Sequence, residues 1–138
     1  MTELSNIPDW LDMEAKAGAC AVYDDEGNRW NLAQRKYTDV RSCLLRKRKT
    51  DHMLLDKETP GVNKTWTGTR KGAYVTATGE NPVAIGIAWI KEEAYAVNMG
   101  TPAETGVSSH SPWDAIQEVI DEAAKSKANM VKLTDLYT

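Results

Sequence analysis

Residues 83–90, Val-Ala-Ile-Gly-Ile-Ala-Trp-Ile, alternate large with small side chains without a break. A period of two belongs to a β-strand, because successive side chains point to opposite faces. Val83, Ile85, Ile87 and Trp89 then share a face that has to be buried. The other face carries only Ala84, Gly86 and Ala88, which leaves room for a helix of the same chain or a neighbouring subunit to lie close to the backbone. Lys91-Glu92-Glu93 turns the chain, and Ala94 to Met99 returns antiparallel with Tyr95, Val97 and Met99 on one face. Whatever else the chain does, it must cover both sides of this hairpin.

The flanking segments supply the cover. Ser111-Pro112-Trp113-Asp114 reads as a helix start, with Ser as N-cap, Pro at the first helical position and Asp where a capping box takes an acid. Trp113, Ile116, Val119, Ile120 and Ala123 form an apolar stripe, and the helix is expected to end near Lys127, before a short strand over 130–133. Upstream, 73–78 reads as a strand, and 19–23 with 29–33 as a hairpin around the turn formers of 24–28. A helix capped by Ser5 or Asn6 is expected to run to about Ala17 and to stop at Gly18. Residues 34–49 fit a helix through Tyr37, Val40 and Leu44, or a strand through Val40, Ser42 and Leu44, and their helix-forming composition favours the helix. Residues 50–72 and 100–106 read as loops, the first long, basic and mobile. These elements predict a single α+β domain over 1–138, with 82–138 as its clearest part. Its sheet is mainly antiparallel, of about six strands, with two or three helices packed on one face.

The 138 residues suit one domain, and 41% hydrophobic with 27% charged residues is an ordinary globular balance. The formal charge of −3 conceals an asymmetry. Residues 1–28 are net −6, residues 35–71 hold eleven bases against four acids for net +7, and residues 72–138 are net −5. Cys20 and Cys43 lie outside any CxxC, there is no leader-like pattern, and no apolar run approaches the roughly 20 residues of a membrane span. The expectation is a cytoplasmic protein with reduced thiols and no membrane contact, with a secreted protein holding one bridge as the alternative.

Motifs of chemistry are weak. His52 and His110 have no second ligand at helical or hairpin spacing, so no metal site is expected. Ser108-Ser109-His110-Ser111 places hydroxyls beside an imidazole, but catalytic groups are assembled in space rather than in sequence. Gly61-Val62-Asn63-Lys64-Thr65 has Asn63 where a phosphate loop needs glycine, and Thr67 to Gly72 offers only a generic anion loop. No catalytic residue and no cofactor is assigned. The basic middle is the feature left, and it interleaves cations with aromatic rings in the way that polyanion binders do. Its expected contacts are Arg35, Lys36, Arg41, Arg46, Lys47, Arg48, Lys49, Trp66, Arg70 and Lys71. The partner is a nucleic acid or an acidic protein surface, and homo-oligomerisation is open.

One stretch has a wider likeness. Tyr95-Ala96-Val97, Gly106-Val107-Ser108 and Ser111-Pro112-Trp113-Asp114-Ala115-Ile116 together resemble the strand–loop–helix of HicB-type antitoxin domains. The resemblance implies a partner-blocking, non-enzymatic role. The expected function is thus that of a small accessory or inhibitory protein, of the kind phages and mobile elements carry. The alternative is a small enzyme acting on a nucleotide-like substrate, with its site between subunits or sheets, drawing on a carboxylate, Tyr74 or Tyr95 and the 68–72 loop.

Overall fold

A computed structural model of the chain describes residues 8–11, 14–32, 39–44, 53–56, 63–66 and 69–136. Among the described residues, eight strands run in chain order as β1 (Ala17–Asp24), β2 (Arg29–Leu32), β3 (Met53–Asp56), β4 (Asn63–Trp66), β5 (Arg70–Ala77), β6 (Val83–Ile90), β7 (Glu93–Gly100) and β8 (Met130–Lys132). Three α-helices join them: α1 (Val40–Leu44), α2 (Pro102–Thr105) and α3 (Trp113–Ala123). The strands form one sheet in the order β4-β3-β2-β1-β5-β6-β7-β8, and every neighbouring pair is antiparallel. The antiparallel α+β class is as expected, with eight strands rather than about six. The two extra strands are β3 and β4, inside the stretch expected to be one long loop. β3 is Met-Leu-Leu-Asp and β4 Asn-Lys-Thr-Trp, and four residues without alternation are too short to read as strands.

Helix α3 lies on the small-residue face. Gly72 of β5 is opposite Ala88 of β6, and Tyr74 is opposite Gly86, so the two glycines sit on neighbouring strands. The Trp113 ring fills the space over Gly72: a Cβ there would lie 2.1 Å from Trp113 Cη2 and 2.6 Å from the Ile87 carbonyl oxygen. At Gly86 it would lie 2.5 Å from Cγ1 and Cδ1 of Ile120. Trp113, Ile116 and Ile120 are buried there with Ala84, Ala88, Val97 and Met99. The helix differs from expectation at both ends. Its N-cap is Pro112 with no side-chain bond, because the Ser111 hydroxyl instead accepts the Ser108 N–H at 2.9 Å. It stops at Ala123, whose carbonyl accepts from the Asn129 side-chain amide at 3.0 Å.

The opposite face, with Val83, Ile85 and Ile87, is covered by other parts of the chain. Leu11, Val40, Leu44, Leu133 and Leu136 are buried against it, so the helices divide between the two faces instead of sharing one. The described part of 5–17 is not the expected helix. Leu11 closes a single turn onto the Pro8 carbonyl at 3.0 Å, and the carbonyls of Ala15 and Lys16 accept from Val40 and Thr78. With that backbone taken by neighbours, the strand begins at Ala17, and Gly18 serves a close approach to Thr76 rather than a helix end. Of the 34–49 stretch, 40–44 is helical as favoured, and the remainder apart from Asp39 lies outside the described residues.

Cys20 on β1 and Cys43 on α1 form a disulfide with Cα atoms 6.5 Å apart, which corrects the expectation of reduced thiols. One bridge was part of the alternative reading, and the pairing has no local signature because the two are 23 residues apart and meet only when α1 folds back over the sheet. Two measurements check these packing arguments. In urea denaturation Gly72→Ala should cost about 3 kcal/mol and Gly86→Ala about 1–2 kcal/mol, because a backbone carbonyl at Gly72 cannot move aside as Ile120 can. Replacing both cysteines by alanine should cost about 3 kcal/mol, and a reductant should then destabilise the natural chain but not the variant.

Candidate functional site

The strand order turns the charge pattern of the sequence into a spatial one. Residues 35–71, net +7, supply α1, β3, β4 and the first two residues of β5. Residues 72–138, net −5, supply the remainder of β5 and then β6, β7, β8, α2 and α3. β3 and β4 form one end of the sheet and β7 and β8 the other, while the described cations Arg41, Arg70 and Lys71 lie on α1 and on β5 at its centre.

The candidate contact residues differ in where they lie. Arg41 is exposed on α1, and Lys71 is half-buried on β5. Trp66 ends the edge strand β4, its backbone opposite Met53. Arg35, Lys36, Arg46, Lys47, Arg48 and Lys49 lie outside the described residues. Arg70 is a correction: it is 0% exposed, with its guanidinium carbon 5.8 Å from the centre of the Trp89 ring, so it serves the interior and is no surface contact. The suggested phosphate loops are corrected as well, because Asn63, Lys64 and Thr65 belong to β4 and Arg70, Lys71 and Gly72 to β5.

A cavity of about 670 Å³ opens between the end of β7, α2 and α3. Met99, Val119 and Ala123 give it an apolar floor, and Glu104, Glu118 and Glu122 carry its charge. A second cavity of about 510 Å³ shares Asn98, Gly100 and Glu104 and extends toward Asp9 and Glu80. Glu104 is fixed by a capping box. Its carboxylate accepts from the Thr101 N–H at 3.0 Å and hydroxyl at 2.9 Å, while its own N–H donates to that hydroxyl at 3.2 Å. These bonds hold its carboxyl below the usual range, so it stays ionised. Helix α2 was expected to be loop, although Thr101-Pro102-Ala103-Glu104 is a capping-box sequence and could have located it. Glu122 pairs with Lys125 at 2.9 Å, both largely exposed.

The loop entering α3 is held by tyrosines. The Tyr23 hydroxyl lies 2.9 Å from the Ser109 carbonyl and 3.0 Å from that of Ser111, and the Tyr74 hydroxyl donates to the Val107 carbonyl at 3.3 Å. The Ser108 hydroxyl accepts the His110 N–H at 3.1 Å. The serine-rich run is therefore engaged in loop geometry. At the β1–β2 turn, burial would raise the Asp24 carboxyl, but bonds from the Trp30 indole at 3.0 Å and from the backbone N–H of Asn28 and Glu26 outweigh it and hold it low. Among the described residues no group of three or more His, Cys, Asp or Glu is placed to hold a metal ion, and no helix is long and apolar enough to cross a membrane. No protein-family model, curated protein or solved structure matches the chain.

Burial pushes the Tyr23 phenol from 10.0 up to about 12, and it raises Tyr74 as well. The fold favours the neutral phenol, so this contribution is complete below pH 10.0 and is lost as the pH rises to about 12. Tyr23→Phe should cost about 1 kcal/mol at neutral pH through the lost hydrogen bond. It should also flatten the fall of stability across that alkaline window, measured by urea denaturation at stepped pH. An unchanged alkaline slope would contradict the assignment.

Proposed function

We propose that the chain is a non-enzymatic binding protein that presents its basic segment, 35–71, to an acidic macromolecule. The observation that supports this most is the charge of the segment itself, eleven bases against four acids, with Arg41 exposed and Lys71 half-buried. The cations of this segment outnumber the acids within it, and such an excess attracts and steers an acidic partner. Lys71 and Arg41 are its described members in contact with solvent, and Arg46 to Lys49 adds four cations in succession. Partner blocking, implied by the likeness of 95–116 to HicB-type antitoxin domains, is the mode of action that fits a protein of this size. The cytoplasm remains part of the proposal, with the bridge sheltered by burial of Cys20 and Cys43.

The reading is checked with two probes, a labelled single-stranded oligonucleotide and polyglutamate as an acidic-protein mimic. The chain should bind at least one of them, with affinity falling as salt rises. The variant Arg46→Glu/Lys47→Glu/Arg48→Glu should bind at least tenfold more weakly with an unchanged melting temperature. For the nucleic acid, the slope of log affinity against log salt should shrink by about three. No binding to either probe, or equal binding by the variant, would overturn the proposal.

A further inference from the structure

We infer that the Cys20–Cys43 bridge is a redox latch: a dithiol that cuts it releases α1 from the sheet, and Arg41 loses its ordered position with it. Only the consequence for affinity rests on the functional proposal; the release of α1 does not.

The two ends of the bridge are held differently. Cys20 lies in β1, a central strand paired on one side with β2 and on the other with β5, where it stands opposite Val75. Cutting the bridge leaves those ladders whole. Cys43 lies in α1, a helix of five residues laid over β1 and β5. A helix that short does not hold its shape alone in water, so α1 depends on what fixes it to the sheet. Val40 and Leu44 are buried there, and the Val40 N–H donates to the Ala15 carbonyl at 3.0 Å. Cys43 lies between them in the chain and supplies the covalent attachment. Arg41 is exposed on the same helix, so its place depends on the same attachment.

The redox step is a thiol–disulfide exchange. A thiolate of the dithiol attacks one sulfur of the bridge, and the other sulfur leaves as a thiolate and takes up a proton. The second thiol of the reductant then resolves the mixed disulfide. Two electrons pass to the bridge, the chain gains two thiols, and the dithiol becomes a disulfide. Cys20 and Cys43 are 3% and 1% exposed, so attack waits for α1 to lift. A seated α1 thus preserves the bond, and the bond, once cut, no longer returns α1 to its seat. Reduction also opens the loop closed over a separation of 23 residues, and the added chain entropy favours the released helix.

The experiment is hydrogen–deuterium exchange read by NMR on the full chain, first oxidised, then treated with dithiothreitol, then reoxidised. Alkylation and mass measurement verify two free thiols in the treated sample. The Val40 and Cys43 amides, bonded to the carbonyls of Ala15 and Asp39, should exchange about tenfold faster or more after reduction, while central amides of β5 and β6 stay protected. Reoxidation should restore the slow exchange, and Cys20→Ser/Cys43→Ser should match the reduced form with or without the dithiol. Affinity for the polyanionic probe should fall about threefold or more on reduction, since Arg41 loses its fixed place. Protected Val40 and Cys43 amides in protein with two free thiols would overturn the inference. So would loss of protection throughout the sheet, which marks a bridge that the whole fold needs. Equal affinity of the two forms for a probe that the oxidised chain binds would overturn it as well. An oxidised chain that binds neither probe removes the functional proposal alone, and the latch is then decided by the exchange rates.

Discussion

Helix α3 lies against the sheet where two neighbouring strands carry no side chain. Gly72 and Gly86 let Trp113 and Ile120 descend onto the backbone, and the stated distances leave no room for a Cβ at either. Several features depend on that approach. It sets the helix height and thereby the groove between α2 and α3. It brings the preceding loop within reach of the Tyr23 and Tyr74 hydroxyls, which bind its carbonyls. Burial of Trp113, Ile116 and Ile120 contributes roughly 2 kcal/mol each in area terms, so the contact accounts for much of the stability of this face. The other face needs a separate closure. Leu11, α1 and the C-terminal leucines provide it, with the Cys20–Cys43 bridge fastening α1 to β1.

The same topology gives the charge pattern its meaning. β1 and β5 lie side by side at the centre, with β2 to β4 running outward on one side and β6 to β8 on the other. The strands of the basic stretch, β3 and β4, and two of the acidic stretch, β7 and β8, therefore lie at opposite ends of the sheet. The net charge of −3 is the sum of these unlike stretches. A field of this form steers partners by orientation as well as attraction, and its effect falls as salt shortens the screening length.

How much could be read in advance follows from how local each signal is. The alternation of 83–90 located both faces of β6, and its small residues foretold a close neighbour, because strand period and side-chain size are written in consecutive positions. Gly72 escaped notice, since only the pairing of β5 with β6 sets it beside Gly86. The stripe of α3 was legible and its ends were not, as Ser111 and Asn129 make bonds that depend on the folded loop. The disulfide and the burial of Arg70 are long-range outcomes with no local sign. Arg70 in particular looked like any other member of a basic run. For the binding surface, the sequence disclosed the charge blocks, and the structure was needed to learn that Arg70 is buried while Arg41 is exposed.

The most direct measurement is hydrogen–deuterium exchange on dilute protein with and without the polyanionic probe that it binds. Peptides from 35–66 should take up deuterium more slowly in the complex, while those covering Trp113–Ala123 should exchange as in the free chain. Protection of α3 with 35–66 unaffected would contradict the account.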